Sequence, residues 1–158
     1  MDARTNDIVL ALGDGTPSHF KLKEFQNADG LVMVHPRLLE CLEALRERLC
    51  LIFAEEIWII VTGGIRTEAD NARLAETLGW ADQGGLVGRD SKHLAKYGGV
   101  AADIKAFKAV KDKGGIRERI SQRIVGYEAR RIFGYVKDDY RDGHVHVDVW
   151  DRAKGRVA

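Results

Sequence analysis

The stretch Gly143-His144-Val145-His146-Val147-Asp148-Val149 decides the fold of this chain. Its three valines alternate with three ionisable residues, and this period of two is typical of a β-strand with one apolar face and one polar face. His144, His146 and Asp148 should therefore lie on one side of the strand. The valines on the other side should face the hydrophobic core.

Two further residues upstream complete a pattern that indicates a metal. His93 lies in Ser91-Lys92-His93, and Asp103 lies within a predicted strand at 100–107. Two imidazoles and one carboxylate form a ligand set of catalytic zinc, which keeps a fourth position open for water. His93, Asp103 and His146 are therefore a plausible ligand triad for Zn²⁺.

The composition indicates a single domain without a strongly charged surface. With 158 residues the chain is long enough to build its own core, and we treat 1–158 as one domain with a peripheral N-terminal segment, 1–18. Lys and Arg number 25 against 24 Asp and Glu. Such a balance gives no electrostatic argument for nucleic acid or a membrane surface, so we expect neither as a partner. We expect a monomer.

The apolar pattern predicts alternating helices and strands along the chain. Pro36 opens a helix whose leucines recur at helical spacing. Residues 57–62 read as a buried central strand, and Thr67 can cap a helix from Glu68 to about Leu78. A loop at 80–97 carries Ser91 and His93.

The C-terminal half yields one more helix and two strands. From Gly114-Gly115 onward, apolar residues at 116, 120, 124 and 127 predict a helix. Residues 131–136 predict a strand that pairs with the histidine strand through a turn at 138–143. The elements together predict an α+β fold.

Five motifs in order resemble those of the M15 peptidases, zinc D,D-peptidases that cut peptidoglycan stems and share their fold with the hedgehog signalling domain. The motifs are Phe20-Lys21-Leu22-Lys23-Glu24-Phe25, the helix from Pro36 to Arg46, Gly63-Gly64-Ile65-Arg66-Thr67, the segment from Ser91 to Asp103, and Val145-His146-Val147-Asp148. The resemblance covers about residues 19–149. It implies a small antiparallel sheet with helices packed on one side.

The resemblance also implies roles for individual residues. It places zinc on His93, Asp103 and His146. Arg66 matches the family arginine that binds a substrate carboxylate or the oxyanion, and Ser91 matches a serine expected to bind substrate. An ordinary surface pair with Glu68 or Asp70 is the alternative for Arg66.

Two departures from the family pattern concern the chemistry. His93 and Asp103 stand further apart than in the usual H-x-x-G-x-A-x-D pattern, because residues 94–99 fill the gap. Many relatives carry a catalytic Glu or Asp where this chain has Gly143. The general base is therefore sought, in order, at His144, Asp148 and Asp142.

The resulting expectation is a zinc peptidase that hydrolyses peptide bonds in peptidoglycan stems or cross-links. A hedgehog-like module that binds zinc but catalyses little is the alternative, and the glycine at 143 favours it. The polar start of the chain is unlike a secretory signal, and no apolar run reaches membrane-spanning length. We therefore expect a cytoplasmic product, which a phage could encode and release to act on the cell wall.

Overall fold

A computed structural model of the protein describes residues 8–111 and 113–158, which form three α-helices and nine β-strands. The helices are α1 (Pro36–Phe53), α2 (Glu68–Leu78) and α3 (Gln122–Ala129). The strands are β1 (Val9–Ala11), β2 (Pro17–Lys21), β3 (Ile57–Gly63), β4 (Ala101–Ala109), β5 (Arg117–Arg119), β6 (Tyr135–Lys137), β7 (Val145–Asp148), β8 (Trp150–Asp151) and β9 (Arg156–Val157).

Five of the strands form an antiparallel sheet. Its order is β3-β4-β7-β6, with β5 paired to the far end of β4. Short hairpins β1-β2 and β8-β9 flank it. The predicted α+β class is confirmed, and so is the pairing of a strand near 131–136 with the histidine strand, although β6 begins at Tyr135.

The core lies between the sheet and two of the helices. Helix α1 begins at Pro36, as predicted, and buries the leucines of one face, which are Leu38, Leu39, Leu42, Leu45 and Leu49. They pack in one cluster with Val145, Val147 and Val149 of the histidine stretch. Helix α3 packs beside α1 and contacts the sheet, whereas no described residue of α2 belongs to this cluster, although Ala75 of α2 is buried.

Helix α2 follows its sequence signals from end to end. The Thr67 hydroxyl accepts a hydrogen bond from the backbone N–H of Asp70, whose carboxylate accepts one in return from the N–H of Thr67. Gly79 ends the helix with a positive φ of 81°. The bounds Glu68–Leu78 are those that the sequence predicts.

Two predictions are wrong in detail. Strand β3 is an edge strand of the sheet and not a central one, since β4 alone pairs with it among the described strands. Its alternate residues 57, 59 and 61 are buried, whereas Ile60 on the other face is 38% exposed. The run of β-branched residues was compatible with either place, because an edge strand also buries one face.

The helix predicted after Gly115 starts too early. Residues Arg117–Arg119 form β5, because they pair with the end of β4, and α3 begins only at Gln122. Ile116, Ile124 and Tyr127 are exposed, so the apolar period at these positions does not mark the buried face. That face carries Val125 and Ala129 instead.

The part of the chain that the structure describes includes no helix long and apolar enough to cross a membrane.

Candidate metal centre

Neighbouring strands bring Asp103 and His146 together. Asp103 in β4 is paired directly with His146 in β7, so their side chains leave the same face of the sheet. His93 reaches this face from the loop after α2. Backbone hydrogen bonds hold the loop in place, since Arg66 N–H donates to the carbonyl of His93 and Ala95 N–H donates to the carbonyl of Arg66.

The three predicted ligands converge within metal-binding distance. His93 Nε2 lies 3.0 Å from Asp103 Oδ1 and 3.0 Å from His146 Nδ1, and the latter two atoms are 3.2 Å apart. All three side chains are buried. The longer spacing between His93 and Asp103 does not keep the ligands apart, because residues 94–99 form a compact 3₁₀ turn, Ala95–Tyr97, followed by two glycines.

Gly99 is the tightest point of that turn. Its φ is +75°, and an added Cβ would lie 2.6 Å from the carbonyl oxygen of Met33. Both the backbone conformation and the close approach therefore require glycine.

Hydrogen bonds on the far side of each ring fix the tautomers of the two histidines. His93 Nδ1 lies 2.7 Å from the carbonyl oxygen of Gly64, which can only accept, so Nδ1 carries the proton. His146 Nε2 lies 3.0 Å from a carboxylate oxygen of Asp148 and donates to it. In their neutral forms both rings therefore direct lone pairs toward each other and toward Asp103.

Three electron-rich atoms facing one another at 3.0–3.2 Å repel unless a cation lies among them. A single proton can bridge two of the atoms, but a metal ion can bind all three. Tetrahedral zinc with bonds of about 2.0–2.1 Å separates its ligand atoms by about 3.3 Å. The donor set and its spacing thus fit a metal ion closely.

The charges of the triad suit metal binding. Burial would raise the pKa of Asp103, but the two adjacent imidazoles outweigh it and hold the pKa below its usual range. Burial lowers the pKa of His93, which keeps its lone pair free. Burial also acts to lower the pKa of His146, but its bonds to Asp103 and Asp148 raise it, so a proton competes with metal chiefly there.

Asp148 is fully buried on the far side of His146 from the metal position. Its carboxylate also accepts hydrogen bonds from both terminal nitrogens of Arg152, at 3.0 and 2.9 Å, and from Trp150 N–H. Burial would raise the pKa of Asp148, but the bonds from His146 and Arg152 hold it below its ordinary value. This geometry suits a residue that orients a ligand imidazole.

Arg66 points into the same site. Its terminal nitrogen Nη2 lies 3.4 Å from Asp103 Oδ2, the carboxylate oxygen turned away from the histidines. Asp70, one of the two surface partners that the sequence allowed for Arg66, instead pairs with Arg73 and caps α2. The Arg66 side chain is 22% exposed and lines the cleft above the triad, where a substrate can reach it.

Ser91 lines this cleft as well. Its hydroxyl accepts a hydrogen bond of 3.3 Å from the backbone N–H of His93, so it helps to shape the loop that carries the first ligand. Both residues of the predicted substrate-binding pair, Arg66 and Ser91, therefore border the metal position.

His144 lies beside the triad but outside it. Its Nε2 is 3.8 Å from Asp103 Oδ1, and its Nδ1 is 2.5 Å from a carboxylate oxygen of Asp142. Asp142, weighed from the sequence as a rival base, is thus the partner of His144. A carboxylate on Nδ1 leaves Nε2 to exchange a proton in the cleft.

Gly143 has a backbone that explains the missing acid. Its φ is +82°, and the Arg119 guanidinium occupies the space that a Cβ would need. A glutamate at this position would be strained and would have to displace Arg119.

Several residues of the site escaped the sequence reasoning, among them Arg152, which binds Asp148. The Tyr140 ring stacks on the His144 ring with centroids 3.9 Å apart, and burial together with the charge of Asp103 raises the pKa of Tyr140 to about 12. Lys137 and Tyr135 line the cleft from β6. Lys137 and Tyr135 could have been identified only from the register of β6 against β7. The sequence of the turn between these two strands does not reveal that register.

Comparison of the chain with protein-family models, curated protein sequences and solved structures finds no match.

Proposed function

We propose that the protein is a zinc-dependent peptidase of the M15 type, with a hedgehog-like fold, that hydrolyses peptide bonds in peptidoglycan stem peptides or cross-links. The observation that carries the proposal is the set of three lone pairs directed at one point by His93, Asp103 and His146. The motif order in the sequence supports the choice of family. Zinc is proposed because a buried His₂-Asp set is one that catalytic zinc uses.

Zinc bound to the triad would supply the Lewis acidity that activates water and polarises the scissile carbonyl. The protein's own part in the reaction is to move a proton and to stabilise charge. His144 accepts the proton of the attacking water at Nε2 and then delivers it to the leaving amine. Asp142 holds the ring in place through Nδ1.

Negative charge that develops on the carbonyl oxygen needs donors in the cleft. Arg66 offers a guanidinium that is already directed at the triad. The pKa of Tyr140 is raised to about 12, so its hydroxyl stays protonated well above neutral pH and can donate a hydrogen bond to the same oxygen. Ser91 lies beside them and can bind the substrate backbone.

The test is incubation of zinc-loaded protein with purified muropeptides, with products identified by mass. Hydrolysis adds one water per bond, so two fragments whose masses sum to the substrate plus 18 Da (approximately the mass of water) are expected. His146→Ala should abolish cleavage, and the matched control His35→Ala, at the start of α1, should retain it. Intact muropeptides after prolonged incubation with the zinc-loaded protein would refute the proposal.

A binding module is the second candidate, and the left-handed glycine at 143 favours it because that position carries no carboxylate. Such a module would keep the zinc and recognise a partner without turnover. The muropeptide experiment separates the two, because a module would retain zinc and release no fragments.

A further inference from the structure

The side of the cleft formed by β6 carries a cationic residue close to the triad. In the antiparallel pair of β6 with β7, Lys137 is directly opposite His146, and Tyr135 is opposite Asp148. Directly paired residues on such strands point to the same face, with Cβ atoms about 5 Å apart. Lys137 therefore leaves the sheet on the metal side, next to a predicted ligand.

Among the described residues, the ammonium group of Lys137 contacts one exposed carboxylate and one half-buried ring. It lies 3.6 Å from a carboxylate oxygen of Asp139, which is 75% exposed, and 5.1 Å from the Tyr140 ring centroid. An exposed pair of this kind contributes little binding free energy, because both partners remain hydrated. Lys137 can therefore exchange Asp139 for an anionic group of a ligand at little cost.

The other cations of the cleft are held more firmly. Arg152 binds fully buried Asp148 through two hydrogen bonds and lies over the Tyr135 ring. Lys92 is only 12% exposed and lies 3.9 Å from the Tyr97 ring centroid. Arg66 likewise pairs with the buried carboxylate of Asp103. Lys137 is therefore the cation of the cleft whose present partner is easiest to exchange for a ligand.

The opposite side of the cleft is apolar. Strands β6 and β3 stand at the two ends of the strand order, and α2 follows β3. The wall on that side consists of Leu74, Leu78, Leu86 and Val87, two of which are substantially exposed. A ligand that spans the metal position would meet apolar side chains at one end and an ammonium group at the other.

From this asymmetry we infer that Lys137 is a specificity-determining residue, which binds a carboxylate of the peptide substrate on the β6 side of the scissile bond. The inference rests on the proposed peptidase function and goes beyond it by naming the residue that selects among peptide substrates. The preferred substrate is an anionic peptide with an apolar group on the other side of that bond. A charge-assisted hydrogen bond accounts for the selection.

The experiment uses a synthetic stem peptide and a set of the same peptides in which each free carboxylate is converted in turn to a carboxamide. We expect the wild-type kcat/KM to fall about tenfold or more for one amidated position, as is typical for a lost hydrogen bond to a charged group. Lys137→Met should remove this preference for the free carboxylate, Lys137→Glu should reverse it, and Lys137→Arg should retain part of it. The control Lys23→Met, which lies outside the cleft, should keep it.

The outcomes separate this inference from the peptidase proposal. Cleavage with a preference that Lys137→Met leaves unchanged overturns the role of Lys137 but not the activity. If no peptide is cleaved, the peptidase proposal fails, and equilibrium binding of the same peptides to the zinc-loaded and zinc-free protein decides about Lys137. Equal affinity for the free and amidated peptides in that measurement would overturn the inference.

Discussion

Replacement of Asp148 by asparagine tests how the protein orients its metal ligands. The carboxylate accepts four hydrogen bonds, from His146 Nε2, from both terminal nitrogens of Arg152 and from Trp150 N–H. An asparagine amide can accept on one side only, because its NH₂ group donates. Either the bond to His146 or those on the other oxygen must be lost.

The expected result is weaker metal binding and not a simple loss of turnover. In one orientation the amide no longer accepts from His146, and in the other the amide itself is held less firmly, so in both the ring is less well directed at the metal. Loss of such an orienting partner lowers metal affinity about 10- to 100-fold. That range corresponds to about 1.4–2.7 kcal/mol of binding free energy. The kcat at saturating zinc should change much less than it does in His144→Ala.

The assay is a zinc titration against a chromophoric chelator, followed by muropeptide turnover at saturating zinc. Asp29→Asn, on an exposed carboxylate remote from the cleft, is the matched control and should bind zinc like the wild type. The reasoning is refuted if Asp148→Asn binds zinc with unchanged affinity while its turnover falls a hundredfold. That pattern would identify Asp148 as the general base.

Further predictions concern proton transfer and stability. His144→Ala should keep zinc, measured by elemental analysis, while turnover falls about a hundredfold or more. Tyr140→Phe should keep zinc and KM and lower kcat about tenfold, and a wild-type kcat in this variant would show that the hydroxyl does not stabilise the carbonyl oxygen. Leu45→Ala should lower the free energy of unfolding by about 2–5 kcal/mol in urea denaturation, because the side chain is fully buried. Burial would raise the pKa of Glu43, but the bond from the Ser18 hydroxyl and neighbouring contacts lower it, so its stabilisation should be complete above about pH 4.5 and disappear as the pH falls through the lowered pKa. Glu43→Gln should flatten that acid limb in urea denaturation, and an unchanged limb would contradict the assignment.

The sequence correctly predicts those elements whose hydrophobic period and capping residues indicate the same bounds. Helix α2 is bounded by Thr67 and Gly79, both of which act through local hydrogen bonds or backbone conformation, so its bounds follow from neighbouring residues alone. The strand Val145–Asp148 follows from its period of two. Both features are local, and so the chain reveals them without a structure.

Elements that depend on distant partners escape such reasoning. Residues Arg117–Arg119 become a strand only because the end of β4 is available for pairing, and no local pattern shows this. The edge position of β3 is likewise set by strand order. The apolar period from 116 to 127 predicts a helix face that the sheet then leaves exposed.

In the candidate site, too, some features follow from local sequence and others depend on residues that are distant in the chain. His93, Asp103 and His146 are predicted from residue type and order, and the structure brings them together. The roles of Asp142, Tyr140 and Lys137 depend on the turn between β6 and β7 and on strand register, which the sequence does not specify. Arg66 contacts Asp103, whereas the sequence also allowed a surface pair with Glu68 or Asp70.

The most direct test of the central claim is the zinc content of the purified protein after dialysis, measured by elemental analysis together with rebinding of added zinc. The three facing lone pairs predict about one zinc per chain in the wild type, its loss in His146→Ala, and its retention in His19→Ala and His35→Ala. Wild-type protein that contains no zinc after dialysis and rebinds none would contradict the metal centre and every step proposed from it.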